Sequence, residues 1–570
     1  MKMKTRTIAR LLALLLVCSL LAATVACGKG GDVSPGNVNA TTSGDSGNAG
    51  NAGNSGGNDA GGGNSSGGNS SGGGNTGGNA AASGKDTIVI GVTQDAGTLH
   101  PHQRTAENET WGIFDGLIYE PLWYVDNDGN MIYLLATSYE IVEPLVLHIH
   151  LREGVTFTNG ADFDAEDALF SLISWNHREG QPAMFAQMDE EASKVLDKYT
   201  LELALNEFNI NFFIGIGLYT MFDKETYDAD ALAVTPNGTG PYIVEDYVVN
   251  SHLNVTLRDD YWGTKPQTKT FQFVQLKEDS QRVNALQAGE VDVVSIPFQD
   301  VDYVKTLDDI DVNVFPSVDA QAVLFNISPF SVFHENRDAR LAVAYAIDRD
   351  AIVRNVFFNY AYKARMPGPA HCTDIDDRFF EMGAYGHGYD PDLARQLAES
   401  SGLVNQEIRL INNGRDVLAQ MCELIQANLK EIGVTANVVT LDMGSWAANL
   451  FDETKWDMCI DYSWAQNFLY TANLRYMLLW MSAESYYNYP WEGHDRAIYL
   501  LEEAPVPLTS MLDEKDRIEL NYEITQSVID EMLWFNIIDE MKCLAFTSGL
   551  KGNPLNIEGE MYCYRHLYWG

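Results

Sequence analysis

Large apolar side chains are absent from residues 51–80, which read NAGNSGGNDAGGGNSSGGNSSGGGNTGGNA. Because nothing in this stretch can be buried, it cannot offset the conformational entropy that folding would cost. Residues 27–85 share this composition and are predicted to form a disordered tether with a random-coil span of roughly 40 Å. The folded protein therefore begins near residue 86, and its 485 residues suffice for two or three domains.

Basic residues are scarce. The chain has 37 Lys and Arg against 79 Asp and Glu, a formal charge of −42. Residues 1–26 hold four of these basic residues and no acid, so the chain without them carries −46. Such a surface repels phosphates, which excludes nucleic acid and anionic lipid surfaces as recognised partners.

The N-terminus carries a secretory signal. Four basic residues precede an apolar run from Leu11 to Leu21, and small residues then lead to Cys27. The run is too short to be a stable membrane span. A mature start at Cys27 resembles the bacterial lipoprotein signal, which implies a diacylated cysteine and a lipid anchor on the outer face of the cell membrane. The alternative is ordinary cleavage near Ala26 and free secretion.

Cysteine is also scarce, and its spacing excludes two kinds of site. Apart from Cys18 in the signal and Cys27, five cysteines remain, an odd number without a CxxC pair. This pattern indicates neither a disulfide framework nor a zinc site. Buried thiols are expected, with one disulfide as the alternative. The five are Cys372, Cys422, Cys459, Cys543 and Cys563.

The chain lacks the G-x-S-x-G, H-E-x-x-H, EF-hand and complete P-loop patterns. We therefore predict no catalysis and no cofactor. A glycosidase-type carboxylate pair needs no fixed motif, so a secreted hydrolase of wall polymers stays as an alternative of another class.

Two histidine pairs raise the question of metal binding. They are His100 and His102 in LHPH, and His148 and His150 in LHIH. Residues two apart on a strand point the same way, but a solvent-facing polar row explains the second pair more simply. Without carboxylates beside them in the sequence, the histidines predict no metal site.

Periodicity indicates an α/β fold. Residues 86–92, 145–151, 251–258 and 269–276 read as strands, and Asp128-Gly129 lies in a predicted hairpin. Asp164 is a predicted N-cap for the helix in DFDAEDALFSLISW. Strands separated by helical stretches predict lobes with parallel or mixed sheets.

Four segments resemble the family 5 extracellular solute-binding proteins, the oligopeptide, dipeptide and nickel receptors of ABC importers. They are LREGVTFTNGADFDAEDALFSL, NGTGPYIVEDYVVNSHLNVTLRDDYWGTKP, FNISPF with RDARLAVAYAIDRDAIV, and GYDPDLARQLAESSG. The resemblance covers residues 86–565 in order and spacing. It identifies a scaffold and says little about the ligand.

The resemblance implies a two-lobed periplasmic-binding-protein-like fold of type II, with the ligand enclosed between the lobes. The first lobe spans 86–320, with an inserted subdomain near 125–225, and the second spans 321–539. Residues 540–570 return to the first lobe, and hinge strands connect the two. The implied partners of this expected monomer are a peptide-like solute and a membrane permease; an oligosaccharide is the alternative ligand.

The family's ligand contacts suggest two segments. In QRTAENE (103–109), Thr105, Ala106 and Glu107 are expected to border the cleft, where an exposed loop is the alternative. In WDMCIDYSWAQNFLY (456–470), peptide-binding relatives carry an Asp that pairs with the peptide's α-amino group.

Alignment places a neutral amide, Gln466 or Asn467, at the position of that Asp. An unpaired buried ammonium costs several kcal/mol, so a peptide's amino group is expected to meet Asp461 or to be blocked. Trp464 and Tyr470 offer aromatic faces for apolar side chains or sugar rings.

Overall fold

The computed structural model describes residues 85–570 apart from several gaps. The gaps are 104–112, 115, 126–130, 144, 179–186, 208–214, 217–218, 369–371, 373, 380–387, 464–488, 512 and 553–563. No helix in the described residues is long and apolar enough to cross a membrane.

The described residues form an α/β structure. The strands are β1 Thr87–Val92, β2 Trp123–Val125, β3 Met131–Tyr133, β4 Ala136–Glu143, β5 Val146–Leu151, β6 Lys194–Asp197, β7 Thr200–Ala204, β8 Tyr242–Val248, β9 His252–Leu257, β10 Thr270–Gln275, β11 Val293–Ser295, β12 Ile310–Phe325, β13 Ala361–Lys363, β14 Glu407–Asn412, β15 Thr435–Thr440, β16 Met458–Ser463, β17 Trp534–Thr547, β18 Leu550–Lys551 and β19 Tyr568–Trp569. The helices are α1 Ala165–Asn176, α2 Ala229–Leu232, α3 Asp279–Gln287, α4 Val301–Val304, α5 Arg337–Ala346, α6 Arg349–Asn355, α7 Pro391–Ser400, α8 Asp416–Glu431, α9 Met443–Leu450, α10 His494–Ile498 and α11 Glu514–Glu531.

One mixed sheet runs through the protein in the order β15-β14-β16-β12-β17-β11-β1-β10-β9-β8, with β13 paired to β17. Its centre is the antiparallel pair β12 and β17, of 16 and 14 residues. Their register runs from Ile310 opposite Thr547 to Leu324 opposite Trp534. These two strands are much longer than the usual 5–6 residues, which lets each enter more than one hydrophobic core.

The long pair β12 and β17, called the crossing strands below, connects two large hydrophobic cores. One consists of buried residues from 323 to 538, and the other of buried residues from 88 to 293 with 544–567. The boundary between the two cores therefore falls within β12 and β17. The lobe limits given above stay a prediction.

A separate four-stranded antiparallel sheet, in the order β4-β5-β7-β6, packs against α1. The helix begins where predicted: Asp164 accepts a hydrogen bond from the backbone N–H of Glu166, and Asp167 accepts from the backbone N–H of Asp164. This capping box satisfies N–H groups that the first turn would leave unpaired.

The glycines of the GTGPY segment are needed for close packing. A Cβ on Gly238 would lie 2.1 Å from the carbonyl oxygen of Ile118, and one on Gly240 would lie 2.3 Å from that of Leu117. In the sequence, two glycines followed directly by Pro241 indicate a tight turn that needs permissive dihedral angles. That explanation is wrong, because neither glycine has a positive φ; the requirement is for two backbones to approach each other.

The four described cysteines are buried thiols and not disulfides: Cys372, Cys422, Cys459 and Cys543. Burial raises the pKa of the Cys422 thiol to about 12, which keeps it protonated and unreactive. Cys563 lies outside the described residues.

Candidate functional site

The two crossing strands and their neighbour β16 carry buried polar side chains on one face. Asp461 lies opposite Ala322, which lies opposite Asn536, and Ala320 lies opposite Asp539. Directly opposed residues of adjacent strands point to the same side of a sheet. We call this set the polar face; it consists of Asn413, Asp461, Asn536 and Asp539 around the small side chains of Ala320 and Ala322.

The polar face is withdrawn from solvent. Asp461 is 8% exposed and Asp539 is 4% exposed. Asn413 Nδ2 lies 3.5 Å from Asp461 Oδ1, the long limit of a hydrogen bond. The two carboxylates stand two strands and two residues apart, about 10–12 Å between Cα atoms. At this separation the two carboxylates are suited to different groups of one ligand.

The charged form of Asp539 is disfavoured by its buried surroundings. Burial raises its pKa to about 7, although the positive charges of Arg365 and Arg349 oppose that rise. Among the described residues no donor reaches its Oδ1 atom. A buried acceptor without a donor costs free energy, so this carboxylate is better suited to a binding partner than to the packing of the strand.

Most of the predicted ligand residues lie outside the described residues. They are Thr105, Ala106, Glu107, Trp464, Gln466, Asn467 and Tyr470. Asp461 is described and buried, and it lies on β16 shortly before the gap at 464–488. Sequence reasoning missed Asn536 and Asp539, although WFNIIDE does place polar residues within an otherwise apolar strand.

A second buried carboxylate has a different environment. Glu120 is 0% exposed and accepts hydrogen bonds from Tyr261 Oη at 2.6 Å, Trp262 Nε1 at 3.1 Å and Arg565 at 3.1 Å. Burial raises its pKa, while Arg565 and these donors counteract the rise. Tyr261, Trp262 and Arg565 also line an open pocket of about 880 Å³ beside the core of residues 88–293 and 544–567. Because Glu120 is fully paired, it ties the YWG segment to the C-terminal residues.

A cluster of three acidic residues, one of them on α1, is also structural. Ligand atoms of Asp167, Asp223 and Glu225 all lie within 4.8 Å of one another. However, Asp167 accepts from two backbone N–H groups, and Asp223 accepts from three side chains, at 2.7 Å from Asn159, 2.7 Å from Thr226 and 3.1 Å from Asn237. These donors already compensate the two buried carboxylates, so the cluster is explained without a cation. The network ties FTNGADFDAEDALF to the GTGPY segment.

The first histidine pair is part of a core. His100 Nε2 lies 3.2 Å from Tyr227 Oη, and its Nδ1 accepts from the backbone N–H of His102. Burial lowers the pKa of His100 to about 4, so the ring is neutral. Both rings pack against Phe222, and His102 also packs against Trp175. The two rings pack in the core, and the His100 nitrogens bond to Tyr227 and to the backbone of the turn.

The comparison with protein families identifies this scaffold. The model of the bacterial extracellular solute-binding proteins, family 5 Middle, matches residues 130–485. The chain belongs to this family. The match includes α1, the GTGPY segment and the strand β12. Asn413 and Asp461 of the polar face lie within the matched region, whereas Asn536 and Asp539 lie beyond it.

Individual relatives are distant in sequence. The chain is 23% identical to the glutathione-binding protein of Salmonella paratyphi A over 83% of this chain and 92% of that protein. It is 25% identical to the dipeptide-binding protein of Escherichia coli over 62% and 69%. Both relatives are named as binding proteins.

Solved structures show the same fold. The substrate-binding protein CtaP of Listeria monocytogenes has a TM-score of 0.72 at 21% identity, covering 85% of this chain and 99% of that one. A peptide-binding protein from Clostridium difficile has a TM-score of 0.73 at 18% identity over 85% and 100%. The two-lobed fold of type II periplasmic binding proteins is confirmed.

Proposed function

We propose that this protein is a lipid-anchored receptor that binds a peptide-like solute outside the cell and delivers it to an ABC importer. The observation that carries the proposal is the polar face, where Asp461 and Asp539 are buried beside the strands that connect the two cores. Buried carboxylates in a family of binding proteins are suited to the α-amino group and N–H donors of a peptide.

The electrostatics favour a ligand with positive or donor groups. A buried carboxylate that pairs with a ligand ammonium recovers part of its desolvation cost, and charge-assisted hydrogen bonds contribute more than neutral ones. A ligand bound by both cores favours the closed arrangement only through its greater affinity for that arrangement. The crossing strands are where such a closing motion would be hinged.

The anchoring and delivery steps rest on the sequence. A diacylated Cys27 would hold the protein on the outer face of the membrane, because acyl chains contribute about 0.8 kcal/mol per buried CH2. The tether of residues 28–85 would let the receptor diffuse around this anchor. Relatives named for binding a dipeptide and glutathione support the peptide class.

Mass spectrometry of the small molecules that co-purify with the protein tests the proposal. We expect a short peptide or modified peptide that dissociates on mild denaturation and rebinds stoichiometrically. Recovery of an oligosaccharide would contradict the peptide assignment, and turnover of wall polymer by the purified protein would contradict the receptor.

A further inference from the structure

The outer face of the small sheet brings four ionisable side chains together across three strands. His148 and His150 alternate with the buried residues of β5, so both point away from the core. Glu140 on β4 and Glu202 on β7 lie directly opposite His148 on either side. The sequence places these carboxylates 8 and 54 positions from the histidine, which is why neighbouring letters do not show them.

The distances leave room for an ion. Glu140 Oε1 lies 3.6 Å from His148 Nδ1 and 3.6 Å from His150 Nε2, too far for hydrogen bonds. Two ligands of a tetrahedral zinc ion with bonds of about 2.0–2.1 Å are separated by about 3.4 Å. Two of the three required spacings are thus nearly met. The two ring nitrogens lie farther apart, and the half-exposed side chain of His150 must turn inward to complete the set.

The remaining carboxylate occupies the supporting position that metal-bound histidines use. His148 Nε2 lies 2.9 Å from Glu202 Oε2, which fixes the ring and leaves Nδ1 directed toward Glu140. Metal-ligating histidines commonly donate their other N–H to a carboxylate in this way. Lys194 Nζ, at 2.7 Å from Glu202 Oε1, holds that carboxylate in place.

We propose that His148, His150 and Glu140 form a binding site for a divalent transition-metal ion such as Zn²⁺, Ni²⁺ or Cu²⁺, with Glu202 as a positioning residue. Two imidazoles and one carboxylate favour these ions over Ca²⁺ and Mg²⁺, which prefer all-oxygen sites. The acidic surface raises the local cation concentration. The site lies on the small sheet, whereas the polar face lies on the large one.

Isothermal titration of the tag-free mature chain with Zn²⁺, repeated for single variants, tests this proposal. We expect one site per chain, and we expect His148→Ala and His150→Ala each to weaken binding at least tenfold. His177→Ala is the matched control. His177 also pairs with a glutamate, Glu190 at 2.8 Å, but neither residue two positions away in the sequence is a histidine. This variant should bind Zn²⁺ as the unaltered protein does.

Electron paramagnetic resonance of the Cu²⁺-loaded protein separates ligands from the positioning residue. The spectrum should show two coordinated nitrogens, reduced to one in His148→Ala or His150→Ala. Glu202→Gln should weaken affinity but keep two nitrogens. Unchanged Zn²⁺ affinity in both histidine variants, or a spectrum without nitrogen ligands, would overturn the site. Circular dichroism of each variant checks that the small sheet is still formed.

Discussion

Two buried carboxylate centres in this protein have opposite surroundings. Glu120 accepts from three side-chain donors, one of which is the Arg565 guanidinium group. Asp539 on the polar face instead has a pKa raised to about 7 and an Oδ1 atom that no described donor reaches. Both are almost fully withdrawn from water. A completed network stabilises a fold, and an incomplete one leaves bonding capacity for a ligand. The contrast separates a carboxylate that stabilises the fold from one that we propose to bind the ligand.

The largest expected effect comes from removing the carboxylate of Glu120, which has its donors in place. Glu120→Ala leaves the Arg565 guanidinium buried without its carboxylate, which should lower the free energy of unfolding by about 3–5 kcal/mol. Guanidinium denaturation followed by tryptophan fluorescence measures the change. Asp164→Ala is the control: it removes one helix cap and should cost only about 1 kcal/mol. Equal losses in the two variants would contradict the distinction between a network and a single cap.

Asp539→Asn should raise the free energy of unfolding at neutral pH, whereas Glu120→Ala lowers it. Because the folded pKa of Asp539 is raised, its contribution to stability is fully present below pH 4 and is lost as the pH rises through about 7. The variant should therefore gain about 2–4 kcal/mol over the unaltered protein at pH 8 and show no gain at pH 4. Thermal unfolding across this range measures the difference, and a gain independent of pH would contradict it.

Features that a local sequence pattern determines could be predicted from the sequence, whereas features that depend on pairing between distant segments could not. The cap at Asp164 and the strand at 145–151 are local, and both are found. The partners of His148, the donors of Glu120 and the grouping of Asp461 with Asp539 depend on strand register between distant segments. Register is set by the assembled sheet, so composition and spacing could not reveal these contacts.

The smallest effect should come from residues 40–80 of the predicted tether. Deleting residues 40–80 should leave ligand affinity unchanged and impair only uptake by cells, because a tether contributes reach and no contacts. Titration of the shortened protein and a transport assay distinguish the two properties. A severalfold loss of affinity would show that the spacer belongs to the folded protein.

The most direct measurement compares the co-purified peptide with its N-acetylated form, titrated against the unaltered protein, Asp461→Asn and Gln466→Ala. The account predicts at least tenfold weaker binding of the acetylated form, about 1.4 kcal/mol, and predicts that Asp461→Asn removes this preference. Gln466→Ala should retain it. A preference that survives Asp461→Asn and disappears in Gln466→Ala would contradict the role of the polar face.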